Sequence, residues 1–472
     1  MLSDLREFVE MVDDEGELAR LDGVDWNLEL GAVTEVVAER EDGPALLFDD
    51  IVDYSSGFRV LTNPFGTIAR TKLGLNMEPS LGPLEVIDTW RTESNDYEGV
   101  SPTEVGADGA PIRENVHMGA DVDVTAIPAP RWHAHDGGRY IGTGCTVITE
   151  DPDTGWVNLG VYRSVILDDE SVSVLFLPGK DGRITMEKYH ERGKPCPVAI
   201  VLGEDPHTWF ASSMTAGRQE SEYELAGWMR GEPVPVVESE YTGLPVPATA
   251  EIVLEGTVPP LSERNCSDGP FGEWPGYATP ASENQPVLEI ETITHRDDPI
   301  LLGIPPLKPP GGYYEVPIRT AGGVWNQLEN AGISGITGVW SHVFERPQFL
   351  TISIEQQYPG HAKQVATAAA TVPNGVYGGR YTIVVDDDVN VTDTEDVLWA
   401  LCTRCNVEEI DVIRDLYTSP LDPVSDEGEA KSSRMVMNAC RPYEERDLFP
   451  TVNRADDELR ERVLEEWNLD EI

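Results

Sequence analysis

The spacing of hydrophobic residues near the start of the chain predicts helices and one buried strand. Apolar residues recur at helical intervals across residues 3–40, with an interruption at the sequence Asp14-Glu-Gly. A short continuous apolar run then follows Pro44 at residues 45–48, and such a run is typical of a buried strand. The sequence therefore predicts a small N-terminal α/β unit.

Short extended segments, separated by turns rich in Asp, Pro and Gly, dominate the chain from about Val122 onward. Three of these segments are 141–149, 157–167 and 171–177. A meander of such strands predicts a barrel-like sheet. One helical segment, roughly 221–229, interrupts the sheet before extended structure resumes near Ala250.

Helices and strands alternate in the last third of the chain, which predicts an α/β domain. A segment rich in Pro and Gly, 307–312, is typical of a linker. Beyond it, the pattern predicts elements at 323–331, 349–356, 383–386 and 394–402. The tail, 456–469, has the pattern of an amphipathic acidic helix, an arm that we expect to pack on a partner subunit.

These patterns together predict a mixed α+β protein of three domains. We expect an N-terminal α/β domain at 1–115, a central β-rich domain at 116–305 and a C-terminal α/β domain at 306–472.

Acidic side chains greatly outnumber basic ones. The 472 residues include 85 Asp and Glu against 34 Lys and Arg, which gives a formal net charge of -51. At molar salt the Debye length falls to about 3 Å, so such a surface stays hydrated without strong self-repulsion, and we expect a salt-adapted protein. Nucleic acid and anionic membranes are disfavoured as partners, because binding phosphates requires a basic stripe that this sequence lacks.

The sequence indicates neither a targeting segment nor a framework of disulfide bonds. The N-terminus has no apolar signal-peptide core, and the sequence has no apolar stretch long enough to span a membrane, so we expect a cytoplasmic protein. The six cysteines are scattered, which disfavours a disulfide framework. Cys402 and Cys405 have the spacing of a zinc or redox pair, but we identify no second Cys or His pair that would complete a ligand set with them.

The most informative segment for chemistry is 268–273, Asp-Gly-Pro-Phe-Gly-Glu. Its glycines and proline predict a turn, and a turn allows Asp268 and Glu273 to point into one cavity. Two crowded carboxylates form an acid/base device, because one member ionises while the proton affinity of the other rises. A purely structural acidic turn is the alternative.

A second candidate segment, 158–163, carries Asn158 and Arg163. A regular strand puts these two side chains on opposite faces, but a bulge at Gly160 would bring them to one site. Beside Asp268 and Glu273, the Arg163 cation would bind a substrate carboxylate and set the proton affinity of the acids. The alternative is a surface arginine paired with a nearby acid.

Together with several other segments in order, these two resemble the UbiD-type decarboxylases. The matching segments are 3–8, 43–48, 137–141, 158–163, 230–233, 247–256, 268–273 and 397–401. The resemblance implies reversible loss of carbon dioxide from an α,β-unsaturated or aromatic carboxylic acid. It implies prenylated FMN as cofactor, supplied by a flavin prenyltransferase, together with Mn²⁺ or Mg²⁺ and a K⁺-like ion at the cofactor phosphate. The implied fold has a central split β-barrel that binds the flavin and a C-terminal domain that forms a homodimer or larger homo-oligomer.

The resemblance also implies roles for individual residues. Arg163, Asp268 and Glu273 match the family's network of one arginine and two acids, with Glu273 as the proton donor. The family's metal ligands Asn, His and Glu fall on Asn158, Asp181 and Glu222. The implied contacts with the cofactor are Asn158, Val161, Tyr162, Arg163, Lys180, Ser212, Ser213, Met214 and Glu222. Trp274, next to the proton donor, is a candidate wall of the substrate pocket.

Two positions depart from the family pattern. Asp181 stands where a ligand histidine is expected, and the resulting all-oxygen set suits Mn²⁺ or Mg²⁺ as hard cations. Asp268 replaces the commoner Glu, so its contact with Arg163 has to be remade by the placement of the backbone.

Three alternatives stay open at the level of sequence. One is an archaeal anhydromevalonate phosphate decarboxylase, another is a flavin-binding paralogue without turnover, and the third is a flavin-free metal hydrolase built on Asn158, Asp181 and Glu222. The sequence alone does not select the acid that is the substrate.

Overall fold

The computed structural model describes residues 2–54, 57–214, 220–309, 315–342, 348–425, 430–455 and 457–467. Parts of two predictions lie outside these residues, namely 310–312 of the linker and 456 and 468–469 of the tail helix. In the described residues, no helix combines the length and the hydrophobicity needed to cross a membrane.

The described helices are α1 (Leu5–Asp14), α2 (Glu29–Ala38), α3 (Ile68–Gly74), α4 (Pro83–Glu93), α5 (Asp181–Glu191), α6 (Pro206–Ser213), α7 (Glu222–Arg230), α8 (Glu315–Asn330), α9 (His361–Ala369), α10 (Pro373–Val376), α11 (Thr394–Arg404) and α12 (Asp457–Trp467).

The strands of the N-terminal and central regions are β1 (Leu18–Asp22), β2 (Ala45–Asp49), β3 (Arg59–Thr62), β4 (Thr103–Glu104), β5 (Asn115–Met118), β6 (Tyr140–Gly142), β7 (Cys145–Glu150), β8 (Val157–Gly160), β9 (Ser164–Asp168), β10 (Ser171–Ser173), β11 (Cys196–Leu202), β12 (Pro235–Glu238), β13 (Pro245–Pro247), β14 (Ile252–Val258), β15 (Cys266–Asp268), β16 (Phe271–Glu273), β17 (Tyr277–Thr279), β18 (Ser282–Gln285), β19 (Val287–His295) and β20 (Ile300–Gly303). The C-terminal strands are β21 (Ile336–Ser341), β22 (Phe349–Ile354), β23 (Tyr381–Asp386), β24 (Asp411–Tyr417) and β25 (Lys431–Ala439).

A four-stranded sheet in the order β1-β2-β3-β20 forms the N-terminal unit. The predicted helices and the buried strand β2 are present, and the Asp4 side chain caps α1 by accepting from the Glu7 N–H. The sequence prediction missed β1, whose residues are only half-buried or exposed and therefore give a weak hydrophobic signal. Its fourth strand, β20, comes from residues about 240 positions after β3 and ties this unit to the central region.

The central region is a curled nine-stranded sheet that buries both of its faces. Its main path runs β6-β9-β10-β19-β14-β11-β7-β8, and β5 pairs with β19. Along β11, Val198 and Ile200 pack into one core, whereas Ala199 and Val201 pack into another on the opposite face. Because side chains alternate across a strand, burial on both faces explains why the sequence is apolar without a break at this point.

The C-terminal region is a five-stranded sheet in the order β21-β22-β23-β25-β24. Its core is continuous with that of the N-terminal unit, where α4 lies against α8. At this contact the Arg91 guanidinium lies 4.2 Å from the Trp325 ring centroid, and Asn326 donates to the Arg91 carbonyl oxygen at 2.8 Å. The N-terminal and C-terminal regions of the chain therefore pack against each other through α4 and α8 and share one core.

The structure corrects two of the predicted strands. The segment 141–149 divides into β6 and β7, and 157–167 divides into β8 and β9. The predicted bulge at Gly160 is absent from the described β7–β8 pairing, since the strand ends at this glycine. The Tyr162 ring folds back against Gly160, where an added Cβ would lie 2.5 Å from it, so only glycine allows this close approach.

We expect Leu254→Ala to lower the melting temperature, because Leu254 is fully buried in the central strand β14 and truncation of such a side chain costs about 2–5 kcal/mol. Val116→Ala is the control, since Val116 on β5 is 43% exposed and surface truncations change stability by only about 0.5 kcal/mol. Thermal denaturation of both variants in the same molar-salt buffer measures the effect. Equal melting temperatures would contradict the assignment of β14 to the core.

Candidate active site

Arg163 binds both predicted acids at once. Its Nε lies 2.8 Å and its Nη2 2.7 Å from Asp268 Oδ1, and its Nη1 lies 2.6 Å from Glu273 Oε1. The exposed fraction of the side chain is 11% for Arg163, 18% for Glu273 and 0% for Asp268. The arrangement is therefore asymmetric: Asp268 lies entirely inside the protein, whereas Glu273 reaches the solvent-facing side of the arginine.

Two further hydroxyls hold the buried carboxylate. Ser173 Oγ donates to Asp268 Oδ2 at 2.6 Å, and the Tyr140 hydroxyl lies 3.4 Å from Oδ1. Burial is the main cause that raises the pKa of Tyr140, and the Asp268 charge adds to it, so this phenol stays protonated and donates. With the arginine and two hydroxyls as donors, the Asp268 carboxylate is buried at a tolerable cost.

The turn that carries the acids connects β15 to β16. Gly269 has a φ of 111°, a backbone conformation that favours glycine. The turn is fixed to the loop that precedes β6, because the Gly137 N–H donates to the Pro270 carbonyl oxygen at 2.8 Å. Phe271 stacks on Tyr140 with ring centroids 3.7 Å apart, and its ring also lies 5.3 Å from the Arg163 guanidinium. The predicted turn between the two acids is therefore present, but the expectation that both side chains point into one cavity is wrong for Asp268, which is fully buried and does not line the cavity that Glu273 lines.

A cavity of about 350 Å³ lies in front of Arg163 and Glu273. Residues from three separate parts of the chain line it, including Arg319, Tyr377 and Leu421 of the C-terminal region. The residues singled out in the sequence that line it are Asn158, Val161, Tyr162, Arg163, Lys180, Asp181, Ser212, Ser213, Met214, Glu222, Glu273 and Trp274. Asp268 is the exception, because it lies behind Arg163 and does not reach the cavity wall.

The three predicted metal ligands line the same cavity as Tyr162. The Tyr162 hydroxyl accepts from the Gly182 N–H at 3.1 Å. Burial raises the pKa of Tyr162 to about 12, and the charges of Asp181 and Glu222 contribute to the rise. Asn158 and Glu222 are buried, whereas Asp181 is exposed at the first turn of α5. The Leu159 N–H donates to Glu222 Oε2 at 2.8 Å and fixes this carboxylate against β8.

Ser212, Ser213 and Met214 lie at the C-terminal end of α6. Met214 is the residue at which the helix ends. The Ser212 and Ser213 hydroxyls each donate to a carbonyl oxygen one turn earlier, at 2.8 Å. Lys180 is exposed and immediately precedes α5.

Family models match the chain in three consecutive segments. They are the N-terminal domain (residues 9–90), the Rift-related domain (103–309) and the C-terminal domain (319–439) of 3-octaprenyl-4-hydroxybenzoate carboxy-lyase. The chain belongs to the UbiD family. Members of the UbiD family are decarboxylases, and this chain is a carboxy-lyase of that family.

Known UbiD proteins are similar over nearly their whole length. The pyrrole-2-carboxylic acid decarboxylase of Pseudomonas aeruginosa is 31% identical, over 98% of this chain and 97% of the relative. The vanillic acid decarboxylase of Sedimentibacter hydroxybenzoicus in open form has a TM-score of 0.86 at 29% identity, with 99% of each chain covered. An evolved dimeric form of the UbiD-class enzyme HmfF from Pelotomaculum thermopropionicum, in complex with prFMN, has a TM-score of 0.82 at 26% identity, with 100% of each chain covered. The predicted three-domain mixed fold is confirmed, whereas the domain boundaries stay a prediction.

The donor set of the cavity suits the groups that UbiD membership implies. Asn158, Asp181 and Glu222 offer only amide and carboxylate oxygens, the ligands that Mn²⁺ and Mg²⁺ accept. Lys180 and Arg163 add cationic groups, and aromatic and aliphatic side chains complete the wall. A flavin needs this combination of an apolar slot for its ring and polar groups for its phosphate.

Sequence reasoning missed one buried acid in this UbiD site. Glu204, which follows β11, is fully buried, and its Oε1 is hydrogen-bonded to Thr146 Oγ1. Thr146 Oγ1 in turn lies 2.8 Å from Ser212 Oγ on the cavity wall. Burial raises the pKa of Glu204 well above its usual value, and a proton on Glu204 completes a chain in which each hydroxyl donates once. No local signal marks this residue in the sequence, because its burial results from packing between strands and α6.

We expect the stability of the protein to fall with rising pH relative to a Glu204→Gln variant. The unfolded chain releases the Glu204 proton near pH 4.5, whereas the folded protein retains it to a higher pH. The contribution of this residue to the free energy of unfolding is thus fully present below pH 4.5 and is lost as the pH rises through the folded-state pKa. Glutamine keeps a donor and an acceptor but does not titrate.

Melting temperatures of the two proteins between about pH 5 and pH 8, at constant salt, measure this difference. The melting temperature of Glu204→Gln should rise relative to that of the wild type as the pH increases. Parallel curves would show that Glu204 is ionised in the folded protein.

Proposed function

We propose that this UbiD protein is a prenylated-FMN-dependent decarboxylase of an aromatic or α,β-unsaturated carboxylic acid, with Glu273 as the proton donor. The observation that carries the proposal is the contact of Arg163 with both Asp268 and Glu273 at the base of the cavity. A flavin-binding paralogue without turnover would not need this buried charge network, so its integrity favours catalysis over that alternative.

The cofactor, Arg163 and Glu273 have separate roles in the proposed reaction. Prenylated FMN, when bound, supplies the sink for the electron pair that carbon dioxide leaves behind. Arg163 offsets one of the two carboxylates, so the trio carries one net negative charge when both acids are ionised and none when Glu273 is protonated. Glu273, on the cavity side, therefore holds the proton that is delivered to the carbon from which carbon dioxide departs.

Aromatic acids are the favoured substrate class. The cavity wall includes Trp274, Tyr377, Leu177 and Ile304, whose flat and apolar surfaces suit an unsaturated ring. The relatives named above act on pyrrole-2-carboxylic acid and vanillic acid according to their names. Both arguments favour an aromatic acid over the anhydromevalonate phosphate alternative.

The remaining expectations form part of the same proposal. Asn158, Asp181 and Glu222 hold Mn²⁺ or Mg²⁺ near the flavin phosphate, with a K⁺-like ion beside it, and a flavin prenyltransferase supplies the cofactor. The protein works in concentrated salt in the cytoplasm as a homodimer or larger homo-oligomer formed by its C-terminal domain. The acidic composition and a dimeric family structure support the salt adaptation and the assembly, respectively.

Glu273→Gln should keep the flavin and lose turnover. Protein purified in molar salt, from cells that contain a flavin prenyltransferase, should carry one prenylated FMN per chain by mass spectrometry and absorbance. With a panel of aromatic acids, the variant should release carbon dioxide at least about 100-fold more slowly, because a positioned proton donor contributes that factor or more. Incorporation of solvent deuterium into the product should fall with it.

Glu283→Gln is the matched control, since Glu283 lies on the nearby strand β18 but is exposed and outside the cavity lining. Wild-type protein without flavin, although cofactor is available, would reject the proposed function. Full turnover by the Glu273→Gln variant would reject only its role as proton donor.

Asp181→Ala should weaken Mn²⁺ binding by about 10-fold or more, because it removes one of three protein oxygens from a hard-cation site. Electron paramagnetic resonance of free Mn²⁺ during a titration measures the affinity. Asp169→Ala is the control, since Asp169 is also an exposed aspartate but lies outside the cavity lining. Unchanged Mn²⁺ affinity in Asp181→Ala would remove Asp181 from the ligand set.

A further inference from the structure

Two histidines and an aspartate converge in the loop that precedes β6. His135 Nε2 lies 3.7 Å from Asp136 Oδ1, and His133 Nδ1 lies 3.9 Å from Asp136 Oδ2. The two imidazole rings are parallel to within 9°, with centroids 5.3 Å apart. Each of the three residues offers one ligand atom, and these three atoms all lie within 4.8 Å of one another. Among the described residues, this is the only such group of three or more His, Cys, Asp or Glu side chains.

Two buried polar atoms in this cluster have no hydrogen-bond partner in the part of the chain that the structure describes. The Asp136 side chain has no exposed surface, yet its Oδ1 accepts no hydrogen bond from a described residue, and His133 Nδ1 is also buried without a described partner. The second oxygen, Oδ2, accepts from the His133 N–H at 2.7 Å, which holds the carboxylate in place. A buried polar atom without a partner calls for an explanation, and a bound ion would supply one.

A further carboxylate lies on the far side of His133. His133 Nε2 is 3.9 Å from Oε2 of Glu35, which lies on α2 of the N-terminal unit. Histidines that bind a metal through one ring nitrogen commonly direct the other toward a carboxylate, which fixes the tautomer and raises the basicity of the ligand. Glu35 is positioned for that supporting role.

We propose that His133, His135 and Asp136 form a binding site for a divalent transition-metal ion such as Zn²⁺. Two imidazole nitrogens and one carboxylate oxygen are a common protein ligand set for Zn²⁺, with the fourth position left to water. Ligand atoms about 2.0–2.1 Å from a tetrahedral ion lie about 3.3 Å apart, so the cluster closes by a few tenths of an ångström to about 1.5 Å on binding. The site is distinct from the all-oxygen set of Asn158, Asp181 and Glu222.

The ion would brace the turn that carries the acids. Asp136 is followed by Gly137, whose N–H donates to the Pro270 carbonyl oxygen at 2.8 Å. An added Cβ on Gly137 would lie 2.1 Å from the Gly269 carbonyl oxygen, so the two segments are in close backbone contact. On the other side, the Arg131 N–H donates to the Trp26 carbonyl oxygen at 3.2 Å, which joins the same loop to the N-terminal unit. The metal would thus fix the loop between the N-terminal unit and the Asp268–Glu273 turn.

Metal retention by the full-length protein tests the proposal without reference to decarboxylation. Chelator-treated protein is equilibrated with Zn²⁺ in molar KCl and desalted, and bound zinc is measured by plasma mass spectrometry. His135→Gln and Asp136→Asn should each lose one equivalent of zinc relative to wild type. His117→Gln is the matched control, because His117 also stacks on a histidine, His295, at 5.2 Å, but among the described residues it belongs to no group of three candidate metal ligands.

Asp181→Ala separates the new site from the predicted manganese site. Co²⁺ in place of Zn²⁺ should give wild type and Asp181→Ala the intense visible absorption of a tetrahedral ion, and His135→Gln should lack it. His135 is half exposed, so His135→Gln should fold, and its melting temperature without metal checks this. Zinc should raise the melting temperature of wild type but not that of His135→Gln. The proposal would be overturned if His135→Gln folds and still retains the full zinc content. It would also be overturned if all the zinc that wild-type protein retains is lost in Asp181→Ala.

Discussion

Arg163 contacts Asp268 Oδ1 through two nitrogens and Glu273 Oε1 through the third, and these contacts constrain much of the central region. Three charged groups at the edge of an apolar core are costly unless each is paired, because removing ions from water costs several kcal/mol each. The pairing requires the irregular segment before β9, the strand β10 with Ser173 and the turn before β16 to meet at one place. Any shift of one segment would leave a buried charge without its partner.

The curled sheet is what brings these segments together from distant positions in the chain. Its central strands β11 and β14 bury side chains on both faces, so the sheet lies between two cores. Its edges can then carry polar side chains, such as Asn158 on β8, without weakening the middle. The shared core of the first and last regions, through α4 and α8, places Arg319 and Tyr377 opposite the sheet and closes the cavity.

Local patterns in the sequence predicted most elements, and the ordered motifs predicted the family. The acid turn could be anticipated because its Gly and Pro residues specify backbone conformation locally. The breaks after Gly142 and Gly160 could not, since they depend on the close contacts of Gly144 with Leu302 and of Gly160 with Tyr162, which only the folded chain supplies. The burial of Glu204, and the convergence of His133 and Asp136 with Glu35 from another unit, also depend on tertiary packing, which no local pattern records.

The acidity of the chain bears on how an anionic substrate reaches this cavity. In dilute buffer a net charge of -51 would repel a carboxylate over a long range, and Lys180 and Arg319 on the cavity wall would act against that field, whereas the charge of Arg163 is offset by its two carboxylates. At molar salt, charges are screened beyond about 3 Å, so the repulsion disappears together with any long-range attraction. Recognition then depends on direct contact inside the cavity. If the protein works in molar salt, as we propose, the same screening would therefore also let an acidic substrate approach the acidic surface.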